Sequence, residues 1–68
     1  MRIASFRFRD YNDRRRAADL IYSNCNGSSA YDTTDYSDYY WIHILESCDN
    51  VERARKICSA QNGELADY

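Results

Sequence analysis

Hydrophobic and polar positions alternate along the first ten residues of the chain. Ala4, Phe6 and Phe8 occupy one set of alternate positions, and mostly polar residues occupy the other. Successive side chains of a strand point to opposite faces of a sheet, so this alternation predicts a half-buried strand within residues 2–10.

The pattern then changes to the period of a helix, from about Tyr11 to Asn24. Asp10 precedes this segment and can cap its first free N–H groups. Asn26 and Gly27 follow it, and both residue types accept the left-handed backbone that ends helices. The spacing i, i+3, i+4 predicts one buried face on this helix. Its members are Ala17, Leu20, Ile21 and Asn24.

The middle of the chain has the composition of a β-hairpin. Residues 28–38 are polar and contain Thr and Tyr, and residues 39–46 read YYWIHILE, the most strand-like segment of the sequence. We expect two strands that turn near Asp35 to Asp38.

A second helix is predicted to begin at Asp49 or Asn50, with Glu52 in its first turn, and to end at Asn62 and Gly63. A short last strand is expected over residues 64–68. The apolar face of the helix follows the same period as in the first one. It consists of Val51, Ala54, Ile57 and Cys58.

This order of elements predicts an α+β fold of ferredoxin-like βαββαβ type. In such a fold, two helices pack on one face of a four-stranded antiparallel sheet. The other sheet face is expected to be open to solvent. Residues 1–68 contain no repeat or linker, so they are expected to form a single domain.

The composition predicts a thin core with a large aromatic contribution. Ile, Leu, Val and Phe together number only 11, but seven Tyr and one Trp can bury area while keeping a polar atom at the surface. No apolar run long enough for a membrane span or a secretory signal is present, which predicts a cytoplasmic protein.

The net charge of -2 hides a strongly uneven distribution. Residues 1–16 contain six arginines and two aspartates, whereas residues 17–52 contain seven acids and neither Lys nor Arg. Positions at helix starts explain Asp49 and Glu52. Such positions do not explain three aspartates at spacing three in a predicted strand and turn, because Asp is depleted in strands. These three are Asp32, Asp35 and Asp38.

The sequence offers little support for a metal or cofactor site. The segment DTTDYSD has too few acids and no Gly for a calcium loop. Cys25, Cys48 and Cys58 form an odd set without a C-x-x-C pair, so neither a disulfide framework nor a zinc knuckle is indicated. We expect three reduced thiols, with Cys58 in the core, and no cofactor.

The sequence also contains no recognisable catalytic motif. His43 lies between Ile42 and Ile44 and is expected to be an ordinary strand residue. A nucleophile pair could combine it with Cys25 or Cys48, but no orienting group or oxyanion-hole motif accompanies such a pair. We therefore do not expect an enzyme.

The arginines suggest, as an alternative, a small ferredoxin-like nucleic-acid-binding or regulatory module that uses its arginine-rich face. Arg7 and Arg9 share one face of the first strand, where neighbouring aromatics could stack on bases. A run of three arginines, residues 14–16, lies on the first helix, although an ion pair of Arg16 with Asp13 or Asp19 would be an ordinary explanation. The acidic pI of about 5.1 and the lack of an RNP-type run argue against direct nucleic-acid binding.

The chain resembles the phage-encoded anti-CRISPR proteins, in particular the small acidic ferredoxin-like inhibitors of type I systems, including type I-C. The segments RIASFRFRD, YDTTDYSDYYWIHILE and NVERARKICSAQNG carry this resemblance, together with the order of elements and the acidic, tyrosine-rich middle. An arginine-rich start departs from what a pure DNA mimic would need.

The apolar faces of the two helices are satisfied by the sheet, which predicts a monomer or weak dimer. The resemblance implies a protein in the cytoplasm of an infected bacterial host. It would bind a DNA-binding subunit of a type I CRISPR effector, without a membrane or a cofactor, and would block target DNA recognition by presenting carboxylates in place of phosphates. The residues expected to make this contact are Asp32, Asp35, Asp38, Glu46, Tyr31, Tyr36 and Tyr39.

Overall fold

The computed structural model describes all residues 1–68 and confirms the predicted order of elements. A single 3-10 turn, Gly27–Ser29, lies between the first helix and the second strand. The elements are β1 (Arg2–Phe8), α1 (Tyr11–Asn24), β2 (Tyr31–Tyr36), β3 (Tyr39–Leu45), α2 (Val51–Ala60) and β4 (Glu64–Leu65).

The four strands form one antiparallel sheet in the order β2-β3-β1-β4. Together with the two helices, this topology confirms the ferredoxin-like α+β fold. The last strand is shorter than predicted, because β4 pairs with β1 only at Phe6 and Arg7. One further backbone bond, from the Ala66 N–H to the Ser5 carbonyl at 3.0 Å, continues the contact.

The core lies between the sheet and the two helices. Phe6 and Phe8 of β1 bury their rings there, as the alternation in the sequence predicts. Phe6 lies opposite Ile42 of β3, and side chains at directly opposed positions share a face of the sheet. Ile42 and Ile44 are fully buried and complete the sheet side of the core.

Helix α1 begins as predicted, since the Asp10 carboxylate accepts a hydrogen bond of 2.7 Å from the Asn12 N–H. Its buried face differs from the prediction. Ala17 and Ile21 are fully buried, whereas Leu20 is 40% exposed and Asn24 is exposed.

The reason for this rotation is the position of Arg14, one turn before Ala17. The Arg14 side chain is only 11% exposed, because its guanidinium reaches across to the Thr34 carbonyl and the Asp35 carboxylate of β2. The buried stripe therefore passes through residues 14, 17, 18 and 21, and this stripe places position 20 at the solvent side.

Helix α2 agrees with its prediction. The Asn50 side chain accepts a hydrogen bond of 3.1 Å from the Arg53 N–H and caps the helix start. Ala54 and Cys58 are fully buried, and Val51 and Ile57 of the predicted face pack against the core. Asn62 follows the helix with a positive φ of 69°, a left-handed conformation that Asn tolerates.

The strands β2 and β3 are joined by a two-residue turn at Ser37 and Asp38, which confirms the predicted turn region. Both residues have positive φ, 57° and 66°. This is the type I′ geometry that matches the twist of a hairpin. Tyr36 and Tyr39 form the cross-strand pair that flanks the turn.

The prediction that the second sheet face is open to solvent is wrong for its centre. The Tyr68 ring lies over this face, with its centroid 4.5 Å from that of His43 and 5.1 Å from that of Trp41. Beneath it, His43 is fully buried and Trp41 is buried. Neither helix of the protein has the length and apolar character needed to cross a membrane.

Candidate binding surfaces

The acidic hairpin, residues 31–45, contains the three aspartates at spacing three, and it does not present them on one surface. Asp32 lies opposite His43, on the sheet face away from the helices, and Asp35 lies opposite Tyr40, on the helix face. An odd spacing along a strand always places two side chains on opposite faces. Asp38 lies in the turn between the strands.

Asp35 is neutralised by a residue from the first helix. The Arg14 Nη1 lies 2.5 Å from the Asp35 Oδ1 and 3.0 Å from the Thr34 carbonyl oxygen. The same guanidinium lies against the rings of Tyr11 and Tyr40, at 5.3 and 5.4 Å from their centroids. Residues 17–52 contain neither Lys nor Arg, but the fold places Arg14 beside Asp35.

Asp32 and Asp38 remain exposed carboxylates, and neither makes an ion pair. Asp32 lies on β2, which is an edge strand of the sheet. Charged side chains on an edge strand oppose its pairing with a second sheet. Protection of the sheet edge therefore explains an aspartate at position 32. The sequence does not reveal this explanation, because the order of the strands is known only from the fold.

Tyr31 and Glu46 lie at the end of the hairpin that is distant from the turn. Tyr31 is half-buried on the helix face and packs against the core, and its burial is the main cause that raises the pKa of its hydroxyl. The Glu46 carboxylate lies 3.6 Å from the amino group of Met1. Neither residue is close to the turn.

Tyr36 and Tyr39 are the predicted tyrosines that lie beside the turn, on the face away from the helices. Tyr36 is 60% exposed. Of the seven residues expected to contact a partner, the structure gathers three at the turn, namely Tyr36, Asp38 and Tyr39. Asp32 shares the sheet face of these tyrosines but lies toward the other end of β2.

Two arginine side chains, one from β1 and one from the residue that follows it, lie beside Tyr39. The guanidinium carbons of Arg7 and Arg9 lie 4.6 and 5.3 Å from the centroid of the Tyr39 ring. Arg7 also pairs with Glu64 of β4, with Nε 2.5 Å from Oε1. The predicted face shared by Arg7 and Arg9 therefore exists, with aromatics next to it, although one of its two charges is neutralised.

His43 links the three longer strands of the sheet. Its Nδ1 lies 2.7 Å from the Ser5 hydroxyl of β1, and its Nε2 lies 2.8 Å from the Thr34 hydroxyl of β2. Burial is the main cause that lowers the pKa of His43 from its usual 6.5, and the charge of Arg2 adds to it. The ring is fully buried and both nitrogens are engaged, which fits a strand residue that holds the sheet together.

The cysteines occupy two different environments, and none of them is in a disulfide. Cys58 lies in the core, as predicted, and burial raises the pKa of its thiol to about 12. Cys25 and Cys48 are brought together with Asp49, although they are distant in sequence. Burial, with the neighbouring Cys48 and Asp49, raises the pKa of the Cys25 thiol to about 11.

Comparison of the chain with protein-family models, with curated proteins and with solved structures found no match. The surfaces described above are therefore the basis for assigning a function.

Proposed function

We propose that the protein is a non-enzymatic inhibitor that binds a nucleic-acid-reading surface of another protein through its acidic hairpin. The observation that supports this proposal is the pair of exposed carboxylates of Asp32 and Asp38, which have no ion-pair partner and share the hairpin with Tyr36 and Tyr39. Unpaired carboxylates beside aromatics suit a partner surface that is rich in Lys and Arg.

The chemistry of such a contact follows from the properties of DNA. A duplex carries one charge per about 1.7 Å of its axis, and the proteins that read it are lined with Lys and Arg. Asp32 lies four residues before the end of β2, about 13 Å at roughly 3.3 Å per residue, and Asp38 lies in the turn that follows. They can therefore contact separate basic groups, while the tyrosines add contact area with few rotamers to restrict.

The resemblance to anti-CRISPR proteins indicates the partner that we propose. It is a DNA-binding subunit of a type I CRISPR effector, including type I-C, in the cytoplasm of an infected bacterial host, and the inhibitor acts as a monomer or weak dimer. Within this proposal Asp35 contributes less to partner binding than Asp32 and Asp38, because its carboxylate is already paired with Arg14.

The test removes the two unpaired charges without changing the shape of the hairpin. The Asp32→Asn, Asp38→Asn double variant suits this purpose, because Asn tolerates the positive φ at position 38 and Lys does so less readily. A Glu52→Gln, Asp67→Asn double variant changes the net charge equally at exposed sites outside the hairpin and serves as the matched control.

We expect the hairpin variant to bind a type I effector at least about tenfold more weakly, a change of about 1.4 kcal/mol, and to lose inhibition of DNA binding. The control variant should retain both properties. Affinity of the parent should fall with added salt, because charge attraction is screened over about 8 Å at physiological ionic strength. Full inhibition by a folded hairpin variant would contradict the proposal.

A second candidate function is direct binding of single-stranded nucleic acid on the open part of the sheet. The observation that favours it is the placement of Arg7 and Arg9 against the Tyr39 ring, beside the exposed Tyr36. Tyr68 covers the neighbouring Trp41, so the surface available for stacking is small.

A mobility-shift assay with labelled single-stranded RNA and DNA separates the two functions. A shift that is lost in an Arg9→Gln, Tyr36→Ala variant would support the nucleic-acid-binding function. Absence of a shift, together with loss of DNA binding by the effector, would support the inhibitor.

A further inference from the structure

Two thiols and one carboxylate meet between the end of α1 and the start of α2. Cys25 directly follows α1, and Cys48 and Asp49 lie in the loop before α2. The two sulfur atoms and one carboxylate oxygen of Asp49 all lie within 4.8 Å of one another. The chain offers no other group of three or more such residues.

This cluster is held by a side chain that bridges the two loops. The Asn26 Oδ1 accepts a hydrogen bond of 3.1 Å from the Asp49 N–H, and its Nδ2 donates one of 2.7 Å to the Ser47 carbonyl oxygen. The Cys48 N–H donates to the Leu45 carbonyl oxygen at 3.0 Å, which fixes the turn that carries the thiol. The backbone of both loops is thus positioned without help from a ligand.

We propose that Cys25, Cys48 and Asp49 form a binding site for a thiophilic divalent cation such as Zn²⁺, with a water molecule as the fourth ligand. Zinc takes sulfur ligands at about 2.3 Å and carboxylate oxygens at about 2.0–2.2 Å in tetrahedral geometry. Two such sulfur ligands lie roughly 3.8 Å apart, so the cluster needs at most about 1 Å of contraction. Binding displaces the two thiol protons to solvent.

The donor set decides the class of ion. Thiolates select Zn²⁺ and similar soft ions over Mg²⁺ and Ca²⁺, which prefer oxygen ligands. Cys48 is buried and Asp49 is exposed, so the cluster has a dry side and a side through which an ion can enter. This proposal is independent of the proposed inhibitor function, because the cluster does not include any residue of the hairpin.

The experiment uses the purified full chain, reduced with a phosphine and freed of metal, and titrated with Zn²⁺ alone by calorimetry. Cd²⁺ then replaces Zn²⁺, because its bonds to thiolate produce an ultraviolet charge-transfer absorption. We expect one ion per chain, a thiolate absorption with Cd²⁺, and a melting midpoint raised by roughly 10–20 °C when free Zn²⁺ is 100 times the Kd.

The variants Cys25→Ser and Cys48→Ser should each lose the Cd²⁺ absorption and weaken Zn²⁺ binding by at least about 100-fold, because hydroxyls are poor ligands for soft ions. Asp49→Asn should weaken binding by about tenfold or more while it keeps the absorption. Cys58→Ala is the matched control, since it removes a thiol that is not in the cluster.

Circular dichroism of each variant without metal separates misfolding from loss of a ligand, and the exposed Asp49 provides a variant with little risk to the fold. Failure of the reduced parent to bind Zn²⁺ would overturn the proposal. Equal binding by a folded Cys25→Ser variant would overturn it as well. A third result would also overturn the proposal. In that case the purified parent is 2 Da lighter than its sequence, which indicates a disulfide between Cys25 and Cys48, and reduction of this disulfide restores no Zn²⁺ binding.

Discussion

Truncation of Ile21 to Ala tests the position of α1 on the sheet. Ile21 is fully buried in the core, while its neighbour Leu20 is 40% exposed. The two residues have side chains of equal size on the same helix, so Leu20→Ala is a matched control. Their difference in stability depends on which side of the helix faces the sheet.

The magnitude for Ile21→Ala follows from burial. Removal of a fully buried Ile side chain costs about 2–5 kcal/mol, because the transfer free energy is lost and a cavity remains. A domain of this length has a total stability of roughly 3–10 kcal/mol, at about 0.05–0.15 kcal/mol per residue. The variant therefore loses a large part of its free energy of unfolding, and its melting midpoint should fall by roughly 10–30 °C.

Leu20→Ala should cost less than about 1 kcal/mol. The Leu20 side chain is partly in water, and the higher helix propensity of Ala offsets part of the lost contact. Urea denaturation followed by circular dichroism measures both variants, and unchanged m values would show that the two-state comparison is valid. Equal losses for the two variants would contradict the structure and favour the buried face that the sequence predicts.

Two further predictions concern His43 and Gly63. The pKa of His43 is lowered in the folded state, so the unfolded chain binds more protons. The free energy of unfolding should therefore be complete above about pH 6.5 and should decline as the pH falls below it. Urea denaturation should show a shallower decline for His43→Gln, and parallel pH profiles of parent and variant would exclude this role. Gly63→Ala should lower the free energy of unfolding by about 1–3 kcal/mol, because its new Cβ would lie 2.7 Å from both the Cys58 carbonyl oxygen and the Phe8 ring. Thermal denaturation measures this loss beside that of Ser59→Ala, a change at an exposed position. Equal melting midpoints for the two variants would show that the contact relaxes.

The sequence predicts the elements of this fold well because their signals are local. The alternation of Phe6 and Phe8 defines β1, and the caps at Asp10 and Asn50 define the helix starts within a few residues. The stripe of α1 is the exception. An arginine is expected at the surface of a helix, but the Arg14 side chain is only 11% exposed and its charged end reaches Asp35.

The candidate surfaces were less predictable, because they depend on contacts between distant parts of the chain. The pairing of Asp35 with Arg14 spans 21 residues, and the cluster of Cys25 with Cys48 is visible only after the two loops are placed together. The position of Tyr68 over the sheet has no local signal at all. The identity of a partner stays a prediction, since no spacing in the sequence encodes it.

The strand order has a consequence for the way this chain folds. The first strand, β1, lies in the interior of the sheet between β3 and β4, so its pairs join residues that are distant along the chain. The β2–β3 hairpin is the only local pairing, and by itself it has no second layer against which to bury Ile42 and Ile44. Contacts of long sequence separation slow folding, because the intervening chain must be ordered before they form. The β1–β4 pair closes only after residues 64 and 65 have emerged during synthesis, so the domain should acquire its stability in a single late, cooperative step.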